Sequence, residues 1–222
     1  MKIIITNLKM FLNTKEQIEK FDEDMKNYKT KFIVSPQNIY LEHFIKKDFT
    51  VAAQNTSDKI EGPYTGEISS KSLKNLGVDY VLIGHSEIRE KYMEEDKIIK
   101  TKVENALKNN LKTVLCIGEK KQDEQINEII DKQLKNILPN KNLIISYEPV
   151  WAIGGNKQID KNKIEKAIKY IKNKGHKIVI YGGSVNEKNI EKLCSINLID
   201  GFLIGSSALD TSKLKKIIEV VK

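Results

Sequence analysis

The stretch Leu143-Ile144-Ile145-Ser146-Tyr147-Glu148-Pro149-Val150-Trp151-Ala152-Ile153-Gly154-Gly155 decides the reading of this chain. The run Leu143 to Tyr147 has the length and character of a short buried strand. One carboxylate follows it, Glu148, and then Pro149. Proline biases the residue before it towards extended geometry, so Glu148 should stay on the strand line and project from its tip. The apolar segment Val150 to Ile153 runs into two glycines and is able to fold over the acid and exclude water. A lone Glu at a strand end is most often a solvated acid. Trp151, the chain's only tryptophan, shifts that balance, because no periodic pattern places it in a core.

Seven further apolar runs extend the pattern in both directions: Ile3–Thr6, Phe32–Ser35, Thr50–Gln54, Tyr80–Gly84, Thr113–Gly118, Lys177–Tyr181 and Gly201–Gly205. Between them lie stretches long enough for helices, several with helical spacing. Ile18, Phe21, Met25 and Tyr28 form one such face; Ile99, Val103 and Ala106 another. The spacing recurs in Ile126, Ile130, Leu134 and Ile137; in Ile164, Ala167, Ile168 and Ile171; and in Leu214, Ile217, Ile218 and Val221. Asn13-Thr14, Asp160 and Asn186 stand where helix N-caps belong. Runs with little polar alternation imply strands covered on both faces, hence a parallel sheet. Eight β/α units without a break predict an α/β fold, a single-domain (β/α)8 barrel with eight parallel strands across residues 1–222. An open doubly wound sheet is the alternative, and no glycine-rich turn follows the first strand to favour it.

The chain has 222 residues, 40% of them hydrophobic, enough to bury one core or two small ones. Its net charge of +8 comes from lysines spread along the whole sequence, which reads as a solvated surface mildly attractive to a small anion. Basic clusters with interleaved aromatics are absent, so no nucleic-acid partner is expected. Cys116 and Cys194 are too few and too far apart to suggest a disulfide framework, and no metal site or cofactor motif is apparent. No apolar run approaches the ~18 residues of a membrane span, and a soluble, cytoplasmic protein is expected.

In a barrel of this kind chemistry gathers at the C-terminal ends of the strands. The first strand is followed by Asn7-Leu8-Lys9-Met10, where Lys9 offers a fixed positive charge. Among so many lysines, Lys9 alone would read as surface. A long loop, Asn55 to Ser69, follows the third run and contains Gly62-Pro63-Tyr64-Thr65-Gly66-Glu67; such lengths are usually functional. The fourth run ends in Gly84-His85-Ser86-Glu87, with His85 opening a helix. A helix N-terminus disfavours imidazolium, so His85 is expected neutral and able to donate to a carbonyl oxygen. A structural cap is the simpler reading of a histidine there, and it suffices for His43 and His176. Cys116 reads as a small core residue. Tyr181-Gly182-Gly183-Ser184 and Gly205-Ser206-Ser207 end the last two runs, a pair of glycine turns suited to cradle phosphate.

Taken in order, N-x-K-M at Asn7–Met10, Tyr64-Thr65-Gly66-Glu67, Gly84-His85-Ser86-Glu87, Cys116-Ile117-Gly118-Glu119, Tyr147-Glu148-Pro149-Val150-Trp151-Ala152-Ile153-Gly154 and Tyr181-Gly182-Gly183-Ser184-Val185 closely resemble the triosephosphate isomerase family. The resemblance runs nearly end to end and implies the TIM-barrel fold. It also implies interconversion of dihydroxyacetone phosphate and glyceraldehyde 3-phosphate through an enediolate, in glycolysis and gluconeogenesis, without metal or organic cofactor. Carried over by position, it makes Glu148 the base, His85 the neutral electrophile, Lys9 the positive charge on the developing enediolate, and Asn7 a substrate-placing residue. It gives Gly154, Ser184, Gly205 and Ser206 to the phosphate, and Glu87 and Thr65 supporting roles. That family is itself a standard example of a Glu base beside a neutral His, so these roles come from the resemblance. A homodimer is implied too, with the Gly62–Glu67 loop reaching into the neighbouring subunit.

Four positions depart from the family's pattern. Leu8 stands where Trp is usual, with an expected effect on packing only. Ile88 stands where Arg is common, removing a charge near Glu119. Gly154-Gly155-Asn156-Lys157-Gln158-Ile159 replaces a typical Gly-Thr-Gly-Lys-Thr-Ala, predicting a less preorganised lid with raised KM or slower closure. Ser206 replaces a second glycine at the phosphate turn. Two other readings accompany the main one: another phosphosugar-binding barrel isomerase, with its acid and base on other strands, or an inactive barrel scaffold.

Overall fold

The computed structural model describes residues 2–122, 125–152 and 160–221. Eight strands close into one barrel in sequence order. They are β1 (Ile3–Asn7), β2 (Ile33–Ser35), β3 (Thr50–Ala53), β4 (Tyr80–Ile83), β5 (Lys112–Ile117), β6 (Leu143–Tyr147), β7 (Ile178–Tyr181) and β8 (Gly201–Ile204). All neighbours are parallel, and closure is made by β1 against β8, with Ile3 opposite Gly201 and Thr6 opposite Ile204. Each expected run matches its strand to within one residue at either end; β1 runs on to Asn7 and β5 begins at Lys112, one residue outside their runs.

Strand periodicity divides the core in two. Ile5, Ile33, Ala52, Leu82, Val114, Cys116, Ile144, Ile180 and Leu203 point inward and fill the barrel. Their strand neighbours, such as Ile4, Val34, Val51, Val81, Leu115, Ile145 and Val179, point outward and pack under the helices. That double burial is why the strands lack polar alternation.

Among the described residues the helices are α1 (Lys15–Met25), α2 (Leu41–Lys46), α3 (Ser70–Leu76), α4 (Ser86–Lys91), α5 (Asp96–Lys108), α6 (Ile126–Gln133), α7 (Lys161–Asn173), α8 (Ile190–Cys194) and α9 (Thr211–Val220). The apolar positions read from the sequence are the buried ones: Ile18, Phe21 and Met25 on α1, and Ile164, Ala167, Ile168 and Ile171 on α7. Thr14 caps α1 in a full capping box with Gln17, and Asp160 caps α7. Asn186 departs from expectation. Its side chain accepts the backbone N–H groups of Lys188 and Asn189, so it caps a turn that precedes α8 rather than α8 itself.

No helix among the described residues is long and apolar enough to cross a membrane.

Candidate active site

Strand tips and one short helix deliver the polar side chains. Asn7 ends β1, and its Oδ1 accepts the backbone N–H of Lys9 at 3.0 Å. Lys9 holds φ 51°, left-handed geometry that strains any residue with a Cβ. Gln54, just beyond β3, fixes the turn from the other side. Its Nε2 donates to the carbonyl of Lys9 at 2.9 Å and to that of Ser35 at 3.0 Å. From this backbone Lys9 Nζ reaches Glu87 Oε1 at 2.8 Å.

His85 is the N-cap of α4, as its position after β4 suggests, and its Nδ1 accepts the backbone N–H of Glu87 at 3.3 Å. A ring nitrogen that accepts carries no proton, so the neutral ring bears its hydrogen on Nε2. That Nε2 lies 3.7 Å from Glu148 Oε2. Glu87 stands on the opposite side, its Oε2 3.7 Å from His85 Nδ1. Burial opposes the charge on Glu87, but the hydrogen bond and charge of Lys9, helped by His85 and Lys91, outweigh it and hold the carboxyl below its usual range.

Glu148 is 2% exposed, and neither carboxylate oxygen has a hydrogen-bond partner among the described residues. Its backbone is locked by donation from its N–H to the Ile117 carbonyl at 2.7 Å. This close approach of β6 to β5 requires glycine at 118, where a Cβ would stand 2.0 Å from the Glu148 carbonyl oxygen. The Cys116 thiol lies beside the carboxylate; burial pushes its pKa well up, and the Glu148 charge pushes it further.

The segment after Glu148 is anchored to β5. Val150 N–H donates to the Glu119 carbonyl at 2.9 Å, and Val150–Ala152 forms a 3-10 turn. Trp151 donates from Nε1 to Glu119 Oε1 at 2.9 Å, and Tyr147 donates to the same carboxylate at 3.2 Å. Trp151 also packs its ring against the helix-facing core, a place that the sequence pattern did not indicate. Tyr147 is pushed far above the ordinary phenol range by burial and then by Glu119, so it stays a donor.

A cavity of about 210 Å³ opens at these tips, lined by Asn7, Lys9, His85, Ser184, Gly205 and Ser206 together with Phe11 and the Gly182-Gly183 turn. Glu148 is not on its wall. The carboxylate sits behind, in a gap of only about 20 Å³ shared with Gly84, Cys116 and Gly118. A larger groove, about 670 Å³, lies between α4, α5 and α6, and contains none of Lys9, His85 or Glu148. We place the chemistry in the smaller cavity because it holds converging donors.

Of the residues expected from the sequence, Asn7, Lys9, His85, Glu87 and Glu148 come together, and Ser184, Gly205 and Ser206 line the same cavity. Thr65 is exposed on its loop and does not line the cavity. Gly154 and the lid residues through Ile159 lie outside the described residues. Leu8 is fully buried, in keeping with a packing role. Near Ile88, the cation that reaches β5 is Arg89, which donates to the carbonyls of Gly84 at 2.7 Å and Cys116 at 3.3 Å. His43 sits 3.3 Å from Asp22, while His176 is buried, and burial followed by the nearby Lys174 lowers its pKa. Sequence reading missed Gln54, a polar residue at a strand tip, and Ser146, two residues before Glu148 on the same face. Among the described residues no group of three or more His, Cys, Asp or Glu side chains could hold a metal ion.

The family model described as triosephosphate isomerase matches residues 2–221. A triosephosphate isomerase of Mesomycoplasma hyopneumoniae is 40% identical over 237 residues, covering 98% of each chain. One of Malacoplasma penetrans is 37% identical over 245 residues, covering 99% of this chain and 98% of the relative. One of Thermodesulfovibrio yellowstonii is 35% identical over 242 residues, covering 98% of each.

Proposed function

This chain belongs to the triosephosphate isomerase family, and from that premise we propose how its strand tips perform the reaction. It is an isomerase that interconverts dihydroxyacetone phosphate and glyceraldehyde 3-phosphate. The family match disfavours both a different phosphosugar isomerase and an inactive scaffold.

Glu148 removes a proton from the carbon beside the substrate carbonyl and returns it to the neighbouring carbon. The intermediate carries alkoxide-like charge on oxygen. His85, with its hydrogen on Nε2, and the Lys9 ammonium are the donors for that charge, and preorganised donors act most strongly where water is excluded. Asn7 helps to place the substrate oxygens. Ser184, Gly205 and Ser206 offer backbone N–H groups to the phosphate, with Gly154 as a further contributor. Phosphate binding, remote from the reacting carbons, then acts on rate as well as affinity. A positioned base contributes ~10²–10⁴-fold. Glu148 must turn from its gap into the cavity to meet substrate.

The observation carrying this reading is the 3.7 Å approach of His85 Nε2 to Glu148, with Lys9 tied to the same cluster through Glu87. The test is a coupled assay of glyceraldehyde 3-phosphate isomerisation by Glu148→Gln. Wild-type turnover in that variant removes Glu148 as the base.

The working form is a homodimer in which the Gly62–Glu67 loop, Thr65 included, enters the neighbouring subunit. Exposed Met10, Phe11 and Tyr64 support this. A cytoplasmic setting is supported by two unpaired cysteines, as expected in a reducing compartment. The barrel is read as one domain over 1–222, since β1 and β8 pair.

A further inference from the structure

Beneath the base, β6 carries a hydroxyl that the mechanism above does not use. Ser146 stands two residues before Glu148, so both side chains project towards the barrel axis, as does Ile144 before them. Ser146 is 0% exposed, and its Oγ has no hydrogen-bond partner among the described residues. Both oxygens of Glu148 are in the same condition. A hydroxyl without an acceptor therefore sits beneath a carboxylate whose neighbouring donor is the weak Cys116 thiol, and a buried polar group left unpaired is costly.

Gly182 defines the space between them. A Cβ at 182 would stand 2.6 Å from Glu148 Cγ, 2.7 Å from Ser146 Oγ and 3.0 Å from Glu148 Oε1. A hydroxyl oxygen and a carboxylate oxygen thus both lie within 3.0 Å of one point over the bare Cα of Gly182. Gly182 is not among the glycines with positive φ, so its missing side chain supplies room rather than backbone freedom.

We propose that Ser146 is a positioning residue for the isomerisation. Its hydroxyl, which makes no hydrogen bond among the described residues in the position seen here, is the donor that the Glu148 carboxylate meets over Gly182 as it turns towards the cavity. The proposal rests on the reading of Glu148 as the base. Other groups face the same carboxylate: His85 Nε2 from the β4 tip and the Cys116 thiol from β5. Glu87 and Lys9 lie behind His85, and Arg89 donates to the Cys116 carbonyl. Ser146 alone of these is a neutral oxygen donor on the strand that carries the base.

The test is steady-state kinetics of Ser146→Ala, Ser146→Cys and Gly182→Ala across pH, with Glu148→Gln alongside. Loss of a hydrogen bond to a charged group predicts kcat for Ser146→Ala lower by on the order of ten-fold, with KM within about two-fold. The acid limb of kcat/KM should move to higher pH, because the ionised base has lost a donor. Ser146→Cys, a similar shape with a weak donor, should fall between wild type and Ser146→Ala. Gly182→Ala fills the gap and should lower kcat in the same direction. Wild-type kcat and an unshifted pH profile in Ser146→Ala overturn the proposal. Should Ser146→Ala fail to fold, the decision passes to Ser146→Cys, where an unchanged profile overturns it equally. A silent Ser146→Ala beside an inactive Glu148→Gln removes only the positioning role, whereas an active Glu148→Gln removes the base assignment.

Discussion

Lys9 Nζ and Glu87 Oε1 meet at 2.8 Å, which joins the tip of β1 to the first turn of α4. The backbone N–H of Glu87 donates to His85 Nδ1 at 3.3 Å, so Glu87 holds Lys9 with its side chain and His85 with its main chain. Lys9 is thereby held where a flexible four-carbon stem would otherwise wander. The cost of that order is met before substrate arrives, which is the condition for electrostatic preorganisation.

Glu87→Gln therefore lowers kcat/KM by loosening Lys9 while leaving the fold intact. Its pH signature has a definite sign. The folded carboxyl of Glu87 lies below its ordinary value of 4.5, so its contribution to stability is full above 4.5 and is lost as pH falls through the lower folded value. Thermal melts should show wild type ahead of Glu87→Gln at pH 7, by at most about 1 kcal/mol for so exposed a pair. The gap should close below pH 4.5. A gap that widens on acidification contradicts the pairing.

Lys9→Gly separates strain from function. At φ 51° glycine is at ease where lysine is not, and backbone strain of this kind is of order 1–3 kcal/mol. The variant should melt as high as wild type or higher, with isomerase activity nearly abolished. Loss of both stability and activity would show that the Lys9–Glu87 pair outweighs the strain.

Glu148→Gln should lower kcat by ~10²–10⁴-fold. Its stability should not fall, because a carboxylate buried without a donor is replaced by a neutral amide. Calorimetry together with the coupled assay checks both halves. A strongly destabilised variant would point to ion pairing that the geometry does not contain.

The barrel was legible because each strand is buried on two faces, and that writes unbroken apolar runs such as Leu115–Ile117 and Ile144–Ile145 between helical spacings. Glu148 and His85 were legible as candidates because polar residues at strand tips stand out against such runs, whereas Lys9 was singled out by the family resemblance. Ser146 was not: one hydroxyl inside an apolar run is indistinguishable from a tolerated core serine until the Gly182 gap is seen. Gln54 was missed for another reason. Its work is to fix the backbone of Lys9, and nothing in sequence signals that a distant lysine adopts positive φ. Trp151 escaped because one ring in a 3-10 turn has no period, and its anchor Glu119 lies far away in sequence, just beyond β5.

Trp151→Phe keeps the ring in the core and deletes the donor to Glu119, which is only 4% exposed. Tyr147 remains as a donor to that carboxylate. The single variant should lose about 1–2 kcal/mol, and the pair Trp151→Phe with Tyr147→Phe more than the sum of the two. A double-mutant cycle by denaturant unfolding measures the coupling. Additive losses would mean that Glu119 draws its partners from elsewhere.

Large apolar side chains are exposed after β1, β3 and α4. Met10 is 77% exposed, Phe11 51%, Tyr64 44% and Met93 77%; Met10 and Phe11 follow β1, Tyr64 follows β3, and Met93 follows α4. Solvent gains nothing from such a grouping, whereas a second copy of the chain would bury it. Lys9 precedes Met10 directly, so the strained turn that aims its ammonium lies at the edge of that surface. Tyr64→Asp should therefore shift sedimentation from dimer to monomer and reduce kcat by on the order of ten-fold or more, although Tyr64 lines no part of the cavity. Activity of the variant should recover as protein concentration rises. Wild type sedimenting as a fully active monomer at micromolar concentration sinks the dimer.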